Sequence, residues 1–328
     1  MSTPQLDELA ALHHARRMAP PTHLGRGIHA LAVPLAGSPL RSVFVYAVET
    51  SAGLVLIDAA YDHPTCWESL VDSLAQTGYK VSDVIAVLLT HNHPDHVGLA
   101  DRIRRASGAE VVIHADDDFA RQHASRGRFL EQLRTVLDQT GAPADVIEEM
   151  FVAATKVAVH HEDLVADRLL TEPEVDLVFG DVTIRAIHAP GHTYGHTVYL
   201  HSGGTIFTGD TLMPEGPTQL ALAPLADDDP TGQLLATVAR ISELGATLAC
   251  PAHQYPFTGI EERCRELYGL HRAEAARALA LGTQPVEAWA VTPHLTWAKP
   301  WDQMGISTKR FALVHTHALL KTRSGDLR

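Results

Sequence analysis

The sequence predicts an α/β protein with two sheets, a helical insertion between them and a mostly helical C-terminal part. Three observations carry this. Short apolar extended runs fall in two blocks separated by about fifty residues of polar helical pattern. A strand, loop, helix, strand unit occupies 84–114. Helical spacing returns beyond residue 257. With 328 residues, 45% hydrophobic and 20% charged, the chain can bury a sizeable core and lacks the bias of disordered or fibrous sequences.

In order along the chain, IHALAVPL, SVFVYAVE and GLVLID read as strands punctuated by Gly, Ser and Pro, and 64–77 as a helix. VIAVLLT, at 84–90, is a continuous apolar run expected to be buried on both faces, and it leads directly into HNHPDH. LADRIRRAS reads as a helix and AEVVIH as another buried strand. The insertion spans about 115–170, where Phe119, Phe129, Leu130, Leu133, Met150 and Phe151 recur at helical spacing and should pack it onto the body. VDLVFG, VTIRAIHAP, HTVYLHS and GTIFTGD build the second sheet, with turns such as Gly180-Asp181. A boundary near 257 divides a catalytic domain, 1–257, from a small helical domain, 258–328.

Twenty-six basic and thirty-nine acidic residues give a formal charge of −13, which disfavours nucleic acid as a partner. Residues 258–328 carry +3, leaving −16 on 1–257. Cys66, Cys250 and Cys264 are too few for a disulfide framework, and a reducing compartment is expected. The N-terminus lacks a secretory pattern and no run is long enough to span a bilayer, so a cytoplasmic protein without membrane attachment is expected. Oligomeric state stays open, a homodimer being one form.

The chemistry lies among 21 histidines. His91, His93, Asp95 and His96 put four metal-ligand side chains within six residues at the end of a buried strand. Histidines two apart on extended chain point the same way, and Pro94 turns the chain so that Asp95 and His96 face the same space. His192 in PGHTYGH, Asp210 in FTGD and His253 in CPAH each follow an apolar strand as well. Seven such residues exceed what one tetrahedral ion takes, and two divalent ions would lower the pKa of a shared water and polarise the bond it attacks. Asp58 and His196 are candidates to orient the ligands, and Tyr194 is a candidate substrate contact. The pairs His13/His14 and His160/His161 read as surface residues, and His315 and His317 as structural.

These motifs, HNHPDH, PGHTYGH, TGD and PAH, resemble the metal-binding signature of the metallo-beta-lactamase superfamily, in the branch with glyoxalase II, acyl-homoserine lactonases and beta-lactamase-like 2 hydrolases. The resemblance spans 27–257 and implies an αββα sandwich with the metals at one sheet edge. It further implies one ion on His91, His93 and His192, a second on Asp95, His96 and His253, and Asp210 bridging, with zinc expected and iron or manganese also compatible. Asp95 and Asp210 would then be the catalytic carboxylates. The expected activity is hydrolysis of a small activated carbonyl compound, a thioester or a lactone, by a metal-bridging hydroxide. The C-terminal part is loosely similar to the winged-helix-like domain of the beta-lactamase-like 2 hydrolases, which keeps a phosphodiesterase or ribonuclease as one alternative; a metal-bound sensor or scaffold is another. Arg121, Arg126 and Arg128 in the insertion are either phosphate contacts for a coenzyme A thioester or a solvated face.

Overall fold

The computed structural model describes residues 3–35, 40–120, 128–155, 164–323 and 325. Arg121, Arg126, His160 and His161 lie outside the described residues.

The first sheet has seven strands in sequential order: β1 (Thr22–Gly25), β2 (Ile28–Pro34), β3 (Ser42–Thr50), β4 (Gly53–Ile57), β5 (Val84–Leu88), β6 (Glu110–His114) and β7 (Arg168–Leu170). It is antiparallel from β1 to β4 and parallel from β4 to β7. The second sheet combines β8 (Glu174–Phe179), β9 (Val182–His188), β10 (Thr197–His201), β11 (Thr205–Gly209) and β12 (Leu248–Pro251) in the order β12-β11-β10-β9-β8, with only β11 and β12 parallel.

Side-chain alternation along the strands sorts the apolar residues into three layers. Tyr46, Leu88, Tyr199 and Phe207 fill the space between the sheets. The hydroxyls of Tyr46 and Tyr199 donate to the Pro251 and Leu89 carbonyls at 2.7 and 2.8 Å. Val87 points the other way, against Leu70 of α2 (Pro64–Gln76) and Ile103 of α4 (Ala100–Ser107), with the single-turn α3 (Pro94–Val97) between them in sequence. On the far side of the second sheet, Ile187 and Val198 meet Leu133 of α5 (Phe129–Asp138), Met150 of α6 (Ala144–Thr155) and Leu234 of α7 (Pro230–Glu243). Leu267 of α8 (Ile260–Leu281), Val291 of α9 (Ala288–Val291) and Leu313 of α10 (Ile306–Leu319) belong to that same apolar layer. Helix, sheet, sheet, helix is the αββα sandwich, with a helical insertion and C-terminal helices on one side.

Three features depart from the sequence expectation. The insertion ends in strand β7, paired parallel with β6, so its last residues are not helical. Helix α7 has no clear signal in the Pro- and Gly-rich stretch after residue 210; Asp229 caps it, accepting from Gly232 N at 2.8 Å, with Pro230 at the first helical position. The N-terminal α1 (Thr3–His14) is likewise an addition to the sequence pattern. Among the described residues no helix is long and apolar enough to cross a membrane.

Candidate metal centre

Strand ends build the centre. His91 follows β5, His192 follows β9, Asp210 follows β11 and His253 follows β12, and all four strands run toward the same edge of the sandwich. His93 precedes α3, with Pro94 at its first position, and the single helical turn presents Asp95 and His96. Residues scattered over more than 160 positions thereby converge, in two groups whose potential ligand atoms lie within 4.8 Å of one another: His91, His93, His192 and Asp210, and Asp95, His96 and His253.

Asp210 stands between the groups. Its Oδ2 lies 3.6 Å from His192 Nε2, while Oδ1 lies 3.6 Å from His96 Nε2 and 3.5 Å from His253 Nε2. Asp95 reaches His96 Nε2 at 3.8 Å and His253 Nε2 at 3.4 Å, and His93 Nδ1 is 3.1 Å from His192 Nε2. Ligand atoms at about 2.1 Å from a tetrahedral ion stand about 3.4 Å apart, close to these separations.

The hydrogen bonds settle which nitrogens are free. His96 Nδ1 meets the Asp58 carboxylate at 2.8 Å, His192 Nδ1 the Gln219 carbonyl at 2.8 Å, and His253 Nδ1 the Ser42 carbonyl at 2.9 Å. Those partners only accept, so each Nδ1 donates, and each Nε2 is the nitrogen that would offer a lone pair to a cation once any proton on it is displaced. His91 reaches the same state through Thr90 Oγ1, 3.0 Å from its Nδ1, because that hydroxyl spends its own proton on Asp58. The Nε2 atoms of His91, His96 and His253, and Oδ1 of Asp210, are buried with no hydrogen-bond partner. Polar atoms buried without partners at this density are costly unless cations, protons or metal ions, meet them, and a set of imidazole nitrogens and carboxylate oxygens at these separations fits divalent ions.

Behind the ligands, Asp58 also accepts from Thr90 N at 2.8 Å and holds φ at 63°, the left-handed region that a non-glycine residue enters only under constraint. His196 lies under the centre, its ring stacked on His91 with centroids 5.1 Å apart. Its Nε2 accepts from Asp210 N at 3.3 Å and its Nδ1 is 3.0 Å from Thr211 Oγ1. It positions Asp210 rather than belonging to either ligand group. Gly209 makes this approach feasible: a Cβ there would stand 2.6 Å from His196 Nε2 and 2.8 Å from Thr90, and φ is +50°. Asp117 ties two motifs together by accepting from Thr193 Oγ1 at 2.6 Å, Gly195 N at 2.8 Å and Asn92 N at 3.2 Å.

Electrostatics follow from burial and charge. Burial holds the His91, His192 and His196 imidazoles below their ordinary range and takes His93 down to about 3. Burial acts the same way on His96, but the Asp58, Asp210 and Asp95 carboxylates overcome it and raise the group to about 10. Burial works to raise Asp95 and Asp210, yet the surrounding histidines pull both below the usual carboxylate range. Without cations the carboxylates are therefore balanced by imidazolium protons, which a metal must displace.

A cavity of about 290 Å³ opens beside His93 and His192. Its walls come from the insertion through Phe119, Phe129 and Leu133, from the 219–222 loop, and from α10 through Arg310, Phe311 and Val314; Tyr194 also lines it. Gln219, Asp117, Thr90 and Arg310 escape the sequence reading. Thr90 sits inside the quoted motif and Asp117 in an acidic run, but nothing in the pattern marks Gln219, which acts through its backbone, or Arg310, on a helix some sixty residues past the last ligand.

His315, read from sequence as structural, holds the loop that forms part of this wall. His271 Nε2 accepts from Thr218 N at 3.0 Å and His315 Nδ1 from Leu220 N at 3.4 Å. His315 Nε2 is 3.2 Å from Glu274. The two helices α8 and α10 thus grip the loop on both sides of Gln219, whose carbonyl orients His192. His317 is buried too, 3.1 Å from Gln139 Oε1. The three cysteines are free and buried.

An αββα sandwich with such a centre defines a metal-dependent hydrolase. Residues 38–253 match the family profile described as the metallo-beta-lactamase superfamily, and the chain belongs to that superfamily. It is 27% identical over 265 residues to "Probable metallo-hydrolase YqjP" of Bacillus subtilis strain 168, covering 77% of this chain and 80% of that one. It is 26% identical over 267 residues to a hydroxyacylglutathione hydrolase of Gloeobacter violaceus, covering 78% and 84%. Among solved structures, a metallo-beta-lactamase family protein of Thermus thermophilus superposes with a TM-score of 0.74 at 27% identity, covering 91% of this chain and 93% of that one.

Proposed function

We propose that this protein is a two-metal hydrolase of small activated carbonyl compounds, with thioesters as the leading substrate class and lactones as its carbonyl relatives. One observation carries the reading: bare, buried Nε2 atoms of His91, His96 and His253 surround Asp210, whose two carboxylate oxygens face different ligand groups. One ion would sit on His91, His93 and His192, the other on Asp95, His96 and His253, with Asp210 shared. Several relatives, at 23–28% identity, carry the name hydroxyacylglutathione hydrolase, and this favours the thioester among carbonyl substrates.

Bound divalent ions supply a water acidified toward neutrality and an electrophile for the carbonyl oxygen. The chain's own residues do the rest. Asp58, Ser42 O and Gln219 O fix the ligand tautomers before substrate arrives. Asp95, partly exposed beside the centre, would be the carboxylate to take a proton from the attacking water and return it to the leaving thiolate or alkoxide. The apolar walls of the adjoining cavity exclude water from the acyl group. Cys66, Cys250 and Cys264 are buried away as thiols and leave no covalent route through cysteine.

Elemental analysis and a substrate panel test this. We expect close to two ions per chain and turnover of thioesters, with lactones next. Less than one ion per chain would leave a scaffold, and turnover of bis(p-nitrophenyl) phosphate alone would replace the carbonyl reading with a phosphodiesterase.

A further inference from the structure

The cavity beside the metal centre holds a feature that hydrolysis of a neutral acyl group does not use. Arg310, on α10, lines it and is 7% exposed. Among the described residues its guanidinium makes no hydrogen bond and no ion pair, and its Nη1 is buried without a partner. Its guanidinium carbon lies 4.8 Å from the centre of the Phe311 ring. Arg263, equally buried at 6%, has an Nη1 without a hydrogen bond as well, but there the charge is met: Nε and Nη2 donate to the carbonyls of Met213 and Gly216, and the group pairs with Glu266. A buried, unpaired guanidinium is among the most costly arrangements a core can hold, and one that faces a cavity implies a partner arriving in that cavity.

Two further groups with unpartnered nitrogens line the same cavity, the side-chain amides of Asn92 and Gln219, whose Nδ2 and Nε2 are buried without a hydrogen bond. An amide can turn either its donor or its acceptor end toward a ligand, so these adapt to the partner; Arg310 alone sets its sign. Burial also lowers the pKa of Arg310, and no acidic neighbour offsets it.

The geometry points to a substrate that carries a carboxylate, seated on Arg310, with its apolar part against Phe119, Phe129 and Leu133 and its scissile carbonyl at the metal centre. The planar guanidinium fork matches a carboxylate in two parallel hydrogen bonds. A phosphate would present the same chemistry with more charge, but Arg310 is the single Lys or Arg among the described lining residues, and Asp116 and Asp117 line the cavity with it. One cation, with two acids elsewhere in the lining, suits a monoanion better than a phosphate. This assignment rests on the hydrolase reading for the orientation of the substrate, but not for the anion itself.

The test therefore reads binding first. On the metal-loaded full-length protein, straight-chain dicarboxylates of four to eight carbons are titrated against their half-amides, which keep one carboxylate for the metals in both cases. The wild type should bind the best-fitting diacid at least tenfold tighter than its half-amide. Arg310→Met, which keeps the apolar stem, should abolish that difference, and Arg310→Lys should retain part of it. Arg310→Met should hold its metal content and be no less heat-stable than wild type, since it removes an unpaired buried charge; an arginine that merely packed the core would lower Tm instead. Equal binding of diacid and half-amide by the wild type, or an undiminished preference in Arg310→Met, overturns the proposal. An alkyl phosphate of matched length that outbinds the diacid through Arg310 overturns the choice of carboxylate. Failure of the hydrolase reading is separate: no thioester, neutral or carboxylated, would be turned over, while the binding comparison would still decide the role of Arg310.

Discussion

Replacing Asp58 by Asn tests the claim that the histidine tautomers are set in advance. The carboxylate takes His96 Nδ1 at 2.8 Å, Thr90 N at 2.8 Å and the Thr90 hydroxyl, and it is 2% exposed, so water cannot stand in for it. Asparagine keeps the volume and one acceptor oxygen. If that oxygen stays with Thr90 N, which cannot move, the new NH2 faces His96 Nδ1 and two donors oppose each other. His96 then escapes only by shifting its proton to Nε2, the atom that must be bare for a metal. Second-layer partners of this kind are worth about 10- to 100-fold in metal affinity, about 1.4–2.7 kcal/mol. The assay is competition against a chromophoric chelator, with circular dichroism as the check on folding. We expect the loss to fall on the Asp95, His96 and His253 group, leaving about one ion tightly held. A folded Asp58→Asn protein that binds two ions with wild-type affinity would refute the reasoning.

Further outcomes follow from the same geometry. Asp210→Ala removes the residue both groups share, so elemental analysis should show ion loss together with loss of turnover, where a purely structural carboxylate would leave both in place. Because nearby carboxylates raise His96 to about 10 in the absence of ions, metal binding should release protons and tighten as pH rises toward that value, measurable by titration calorimetry in buffers of different ionisation enthalpy. Burial lowers His271 and His317 to about 3, below their unfolded range. Their contribution is complete above about pH 6.5 and is lost as pH falls toward 3, at up to about 1.4 kcal/mol per pH unit for each, so acid unfolding should start in that window. His271→Leu strands the buried Thr218 N–H and should cost about 1–3 kcal/mol together with weaker binding at His192, whereas His271→Gln, which can present an acceptor at the same place, should recover both.

The amino-acid order determined a good deal by itself. Continuous apolar runs such as VIAVLLT, broken by residues that cannot remain in a dry core, place strand ends and ligands together, because the metal needs the transition from buried chain to open loop. The candidate set His91, His93, Asp95, His96, His192, Asp210 and His253 could therefore be drawn from local pattern, and the structure brings these residues together at one edge; both sheets were legible in the same way. Asp58 was visible as a strand-end acid, but its bond to His96 was not, since 38 residues separate them. What only the tertiary structure decided lies between elements that meet late in the chain. The carbonyl of Gln219 carries no side-chain signature, α7 is set by a cap and an apolar layer supplied from elsewhere, and His271 and His315 acquire a task only when α8 and α10 close on the 218–220 loop. Arg310 is the plainest case: on a helix it reads as one more solvated cation, and it becomes a buried charge facing a cavity only because α10 packs against neighbouring helices beside α5 and the 219–222 loop.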